Sequence, residues 1–112
     1  MTTVRFLGIR KKIYAVGFDD FCQAGSISIF HPMNIVCKSH VLNLQFWVCV
    51  DGGYRTRETY YISSRKLDDI RAPTEYTQFR TQTELIAGLE DIRQRIAAAK
   101  AAEDRQATKE GQ

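Results

Sequence analysis

Long apolar runs are what this sequence most lacks. No segment supplies the roughly 20 consecutive apolar residues that a bilayer-spanning helix needs, so no membrane association is expected. Histidine is scarce, with only His31 and His40, and neither sits in a recognisable nucleophile–base motif, which removes the usual partner for a catalytic Ser or Cys. The one glycine pair between apolar runs, Gly52-Gly53, turns a hairpin and leads into no helix, so there is no phosphate-cradling loop.

Cysteine is both sparse and odd in number: Cys22, Cys37 and Cys49, none closely paired. That pattern excludes a secreted disulfide framework and predicts reduced thiols. Together with His40 these residues are the right types for zinc, and Cys37 to His40 has a chelating spacing. Structural zinc sites, however, present paired knuckles, and only one close pair exists here. The sequence therefore predicts no metal and no cofactor. The first residues, MTTVRFLGIRKKIY, place their charges after the apolar positions and lack a continuous apolar core, so a cytoplasmic protein without a signal peptide is expected.

What is present is an ordinary globular composition, 44% apolar and 26% charged over 112 residues. The net charge of +3 is unevenly spread: through Lys66 there are nine Lys and Arg against four Asp and Glu, and beyond it seven against nine. The basic half suggests an anionic partner, either nucleic acid or an acidic protein surface; a solvated face without a task is the competing explanation.

The stretch from His40 to Ser63 carries the densest strand-type residues and its own turn at Asp51-Gly52-Gly53, and reads as a β-hairpin. A two-residue turn would bury Arg55 and Arg57, at a desolvation cost of several kcal/mol each, roughly. A three-residue turn pairs Val50 with Tyr54 and Leu42 with Ile62. One face is then aliphatic, from Leu42 to Val50. The other carries Gln45, Trp47, Arg55, Arg57 and Tyr61, with Trp47 directly opposite Arg57. Glu58 breaks this pattern, falling opposite Phe46.

Earlier in the chain, Val4–Ile9 and Ile13–Phe18 are expected as a hairpin with a basic tip, Arg10-Lys11-Lys12; such a tip could touch a phosphate backbone or simply discourage edge pairing. Ser26–Phe30 and Ile35–Cys37 are expected as strands, with a turn over residues 31–34 between them. Tyr76 to Arg80 fits either a helical spacing, through Tyr76 and Phe79, or a last edge strand, and is read as the strand. Thr81 to Glu84 forms a capping box, after which Leu85, Leu89, Ile92 and Ile96 recur at helical spacing. Within that helix Gly88 implies a close approach to the sheet.

The predicted fold is therefore α+β: an antiparallel meander of about six to seven strands with a C-terminal amphipathic helix packed on one face. Residues 1–102 form one domain, with the sheet over about 3–80, the helix over 82–102 and a disordered tail over 103–112. The apolar helix stripe could instead be a homodimer seam.

Function is read from the basic and aromatic face. The expectation is a small, non-enzymatic module that binds a protein with an acidic surface through Trp47, Arg55, Arg57, Tyr61 and Gln45. Trp, Tyr and Arg dominate protein interfaces, and an accessory or inhibitor protein that occludes a nucleic-acid-handling complex would act in this way. Direct nucleic-acid binding by the same face is the alternative, through ring stacking and phosphate pairing. A small sheet-based ribonuclease is a further alternative, but the expected register sends Glu58 and the two arginines to opposite faces.

Overall fold

The computed structural model describes residues 6–25, 28 and 30–110. In chain order the elements are α1 (Leu7–Tyr14), β1 (Asp20–Gln23), β2 (Met33–Ser39), β3 (Leu44–Asp51), β4 (Thr59–Lys66), β5 (Glu75–Phe79) and α2 (Gln82–Glu110). The five strands form one antiparallel sheet in sequential order, β1-β2-β3-β4-β5. The fold is thus α+β with a meander sheet and a C-terminal helix, and among the described residues the sheet has five strands where six to seven are expected.

The missing strands are explained by α1. Phe6, Ile9, Ile13 and Val16 recur at spacings of three and four, and all four are buried, so a helical stripe dominates a stretch whose sequence also fits strand alternation. Arg10-Lys11-Lys12 is consequently no hairpin tip. Lys11 and Lys12 occupy the last turn of α1, where cations complement the carbonyl end of the helix dipole, and the Arg10 guanidinium donates to Gln23 Oε1 of β1 at 3.1 Å. Of the strand expected over residues 26–30, Ser26, Ile27 and Ile29 lie outside the described residues, as does Val4 of the expected first strand. The turn placed over residues 31–34 is shorter, because Met33 and Asn34 already belong to β2.

The core forms on one side of the sheet. Met33, Ile35 and Cys37 of β2, Phe46, Val48 and Val50 of β3, and Tyr60 and Ile62 of β4 meet α1 and the Leu85, Leu89, Ile92 and Ile96 stripe of α2. Alternation in each strand follows from the pleat. The α2 stripe is no more than 4% exposed at any of the four positions, so it is consumed by the chain's own core and offers no seam to a second copy.

The start of α2 is capped as expected on one side, with the Glu84 N–H donating to Thr81 Oγ1 at 3.2 Å. The reciprocal bond runs one residue further back: the Arg80 N–H donates to Glu84 Oε2 at 2.9 Å. Gly88 does mark a close approach, since a Cβ there would stand 2.8 Å from Phe79 Cζ and 3.4 Å from Ile62 Cδ1. At the other end α2 runs on to Glu110, so residues 103–110, expected as a disordered tail, are helical. Ala101, Ala102, Glu103, Arg105 and Gln106 are exposed and are good helix formers, which allows that extension.

Candidate functional site

The central hairpin has a longer loop than its glycines suggested. Val48 faces Ile62 and Val50 faces Tyr60, so Gly52 to Glu58 form a seven-residue connection between Asp51 and Thr59. The pairing differs from the expected one by an even number of residues, which leaves each strand's two faces unchanged while moving every partner. Glu58 explains the choice. In the short-loop register it would lie among the core side chains opposite Phe46; in the loop it accepts a hydrogen bond from the Tyr60 hydroxyl at 2.6 Å.

Three expectations are corrected by this register. Leu42 belongs to the β2–β3 turn and packs at the core margin instead of pairing with Ile62. Trp47 pairs with Ser63 and not with Arg57. Arg55 and Arg57 lie in the loop and leave the sheet face altogether: Arg55, in a left-handed backbone conformation, stands over the Tyr54 ring at 5.4 Å, while Arg57 lines a hollow with Tyr60, Arg80 and Thr81 on the helix-covered side.

The face opposite the helices is built in three rows across the strands. A polar row runs Asp20, Lys38, Gln45, Arg65; a central row runs Cys22, Val36, Trp47, Ser63, Tyr76; a third runs Asn34, Cys49, Tyr61, Gln78. Trp47, Tyr61 and Gln45, expected together, are together. Arg65 takes the place intended for Arg57, its guanidinium 5.6 Å from the centre of the Trp47 ring. Tyr76 joins Tyr61 with ring centres 6.2 Å apart and is 69% exposed.

Arg65, Val36 and Tyr76 were missed by the sequence reading. The alternation of β4 carries Arg65 to this face, but its position beside Trp47 depends on a loop length that composition alone does not settle. Charge on the face is balanced, with Lys38 and Arg65 against Asp20 and Asp51.

Of the three thiols, Cys22 on this face is exposed, whereas Cys49 and Cys37 are shielded. Burial pushes the Cys49 thiol up to about 11, with Asp51 adding to it, and its Sγ donates to Asn34 Oδ1 at 3.2 Å. Burial likewise raises Cys37, on the core side, to about 12. Two exposed His–Asp pairs flank the sheet. His31 Nδ1 lies 2.7 Å from Asp51 Oδ1. The His40 backbone N–H donates to Asp19 Oδ2 at 2.6 Å, and its Nδ1 lies 3.0 Å from the same oxygen. The Asp19 pair staples the β2–β3 turn to the segment before β1; the backbone N–H of His40, and then its ring, hold the Asp19 carboxyl below its ordinary range.

The residues of zinc-ligand type do not converge, since Cys37 faces the core, Cys22 and Cys49 face away from it, and His40 is engaged by Asp19. Among the described residues no group of three His, Cys, Asp or Glu is placed to hold a metal ion. No helix among them is long and apolar enough to cross a membrane. Comparison of the chain with protein-family models, curated proteins and solved structures finds no match in any of the three.

Proposed function

We propose that this chain is a small protein-binding module whose open sheet face is the interface. The observation that carries this reading is a continuous sheet face holding Trp47, Tyr61, Tyr76 and Val36 beside a cation–π pair, on the side away from both helices. Aromatic rings and Arg are the residue types that anchor protein interfaces: the rings bury a large area with little loss of side-chain freedom, and the planar guanidinium stacks on rings and donates several hydrogen bonds. An accessory or inhibitory role, occluding a surface of a larger assembly, suits a single domain of this size.

The balance of two cations and two anions on the face favours a protein over a phosphate backbone as the partner. A nucleic-acid surface would gain from each added cation by counterion release, and Arg55 and Arg57, which would have supplied that gain, are turned elsewhere. The test is binding to labelled single- and double-stranded DNA and RNA at two salt concentrations, beside capture from nuclease-treated lysate. The reading expects no salt-dependent nucleic-acid binding and a partner lost by Trp47→Ala and Tyr61→Ala. A partner retained by both variants, or a steep fall of affinity with salt on nucleic acid, contradicts it.

A further inference from the structure

On the opposite side of the molecule from the open face, the sheet corner beneath α2 is left partly uncovered. The core-facing positions of the last two strands there are Ser64, Glu75 and Thr77, small or polar where the inner strands carry Phe46, Val48 and Val50. On the helix, Ala87 and Gly88 face the same gap. The result is a trough of about 650 Å³ between β5 and α2, floored by Ile62, Phe79 and Ile92.

Two features of the trough constrain what can occupy it. Among the described residues β5 is an edge strand, so along its outer side alternate residues present backbone N–H and C=O groups without a strand partner. Its sequence, Glu-Tyr-Thr-Gln-Phe, contains no Pro or Lys, the usual devices that blunt an edge, and four of its five residues are exposed. The rim is also predominantly acidic, with Glu75, Glu84 and Asp91 against Arg95, in a chain whose net charge is +3.

We infer that the β5–α2 trough is a second docking site, which takes an extended, cationic segment of a partner protein as a sixth strand added to β5. The added strand completes the free backbone groups of β5. Side chains alternate along a strand, so every second residue of the segment faces α2. A Lys or Arg at such positions meets Asp91 and Glu75, and an aliphatic residue two positions along, on the same face, settles over Ala87, Gly88 and Ile92. Strand addition of this kind draws affinity from main-chain hydrogen bonds and selectivity from alternate side chains. Trp47 takes no part, so failure of this site and failure of the open-face reading are separately visible.

The probe is an array of fluorescein-labelled nonapeptides in which Arg and Leu alternate with Thr, with Glu replacing Arg in matched controls, titrated by fluorescence anisotropy. Basic members should bind saturably and acidic controls should not. Asp91→Lys and Glu75→Lys, both exposed and outside the capping contacts, should each weaken binding tenfold or more while leaving the circular dichroism and melting curve unchanged. Methylating alternate peptide nitrogens should abolish binding in one phase of the strand and spare it in the other. Trp47→Ala should bind as the parent protein does. Absence of binding by every basic member, equal binding of the acidic controls, or affinity unaffected by both charge reversals would overturn the assignment.

Discussion

The Arg65 guanidinium and the Trp47 ring sit one diagonal step apart on adjacent strands, 5.6 Å from group to ring centre. A cation over a Trp face is worth from about 0.5–1 kcal/mol at an exposed site to about 2 kcal/mol when desolvated, and this half-buried pair lies within that range. A double-mutant cycle on Trp47→Ala and Arg65→Ala, read by denaturant unfolding, should give a coupling of about that size. Trp47→Ala paired with Arg57→Ala should give none, because Arg57 lies on the helix-covered side.

Gly88 and Phe79 should show coupling of the opposite kind. A methyl group at position 88 would meet the Phe79 ring at 2.8 Å, while Ala in a helix interior gains about 1 kcal/mol over Gly. Overpacking typically costs about 1–3 kcal/mol, so Gly88→Ala should lower stability in the parent protein. In a Phe79→Ala background the obstruction is gone, and the same substitution should become stabilising. Melting curves of the four proteins decide this.

How much of this was legible beforehand differs by element. The α2 stripe and Gly88 were readable because a period of three and four over many residues has no competing explanation, and Leu85, Leu89, Ile92 and Ile96 are all buried. Phe6, Ile9, Ile13 and Val16 carry the same signal over a shorter span, interrupted by Gly8 and a basic run, and there strand alternation competed with it. In the central hairpin the sequence pattern places residues on faces but not opposite partners. Trp47, Gln45 and Tyr61 were therefore assigned to the right side, whereas Arg55 and Arg57 were assigned to strands that their loop never joins. The end of α2 is not legible from periodicity, because Ala-rich polar sequence lacks an apolar stripe and yet has high intrinsic helix propensity.

The three thiols should react at very different rates. Cys22 is exposed, whereas burial holds Cys37 near 12 and Cys49 near 11. Since the thiolate is the nucleophile, brief treatment of native protein with iodoacetamide at about pH 8 should modify Cys22 alone by peptide mass mapping. Denaturation should expose all three. Comparable labelling of Cys49 in the native state would contradict the packing described for the open face.

Stability should fall in mild acid partly through Asp19. Its carboxyl is held below the ordinary value in the folded chain by the His40 N–H and ring. A group depressed on folding contributes stability that is present above its unfolded pKa and is lost as pH falls through its folded one. Melting temperature should therefore drop as pH is lowered through and below the usual carboxylate range. Asp19→Asn should reduce that dependence, chiefly by lowering the melting temperature near neutrality. An unchanged pH profile in this variant would remove the staple from the account.

Trp47 is the single tryptophan of the chain and lies in the central row of the open face, which makes its fluorescence the most direct test of the interface. With a purified partner obtained by nuclease-resistant capture, titration should shift Trp47 emission to the blue and reduce acrylamide quenching. The experiment requires a partner without tryptophan, or one replaced by Phe at each. A central interface residue of this type costs at least about 2 kcal/mol on truncation, so Trp47→Ala should weaken affinity by roughly thirtyfold or more. Binding that leaves Trp47 emission and quenching unchanged, with full affinity in Trp47→Ala, would place the interface elsewhere and contradict the proposed function.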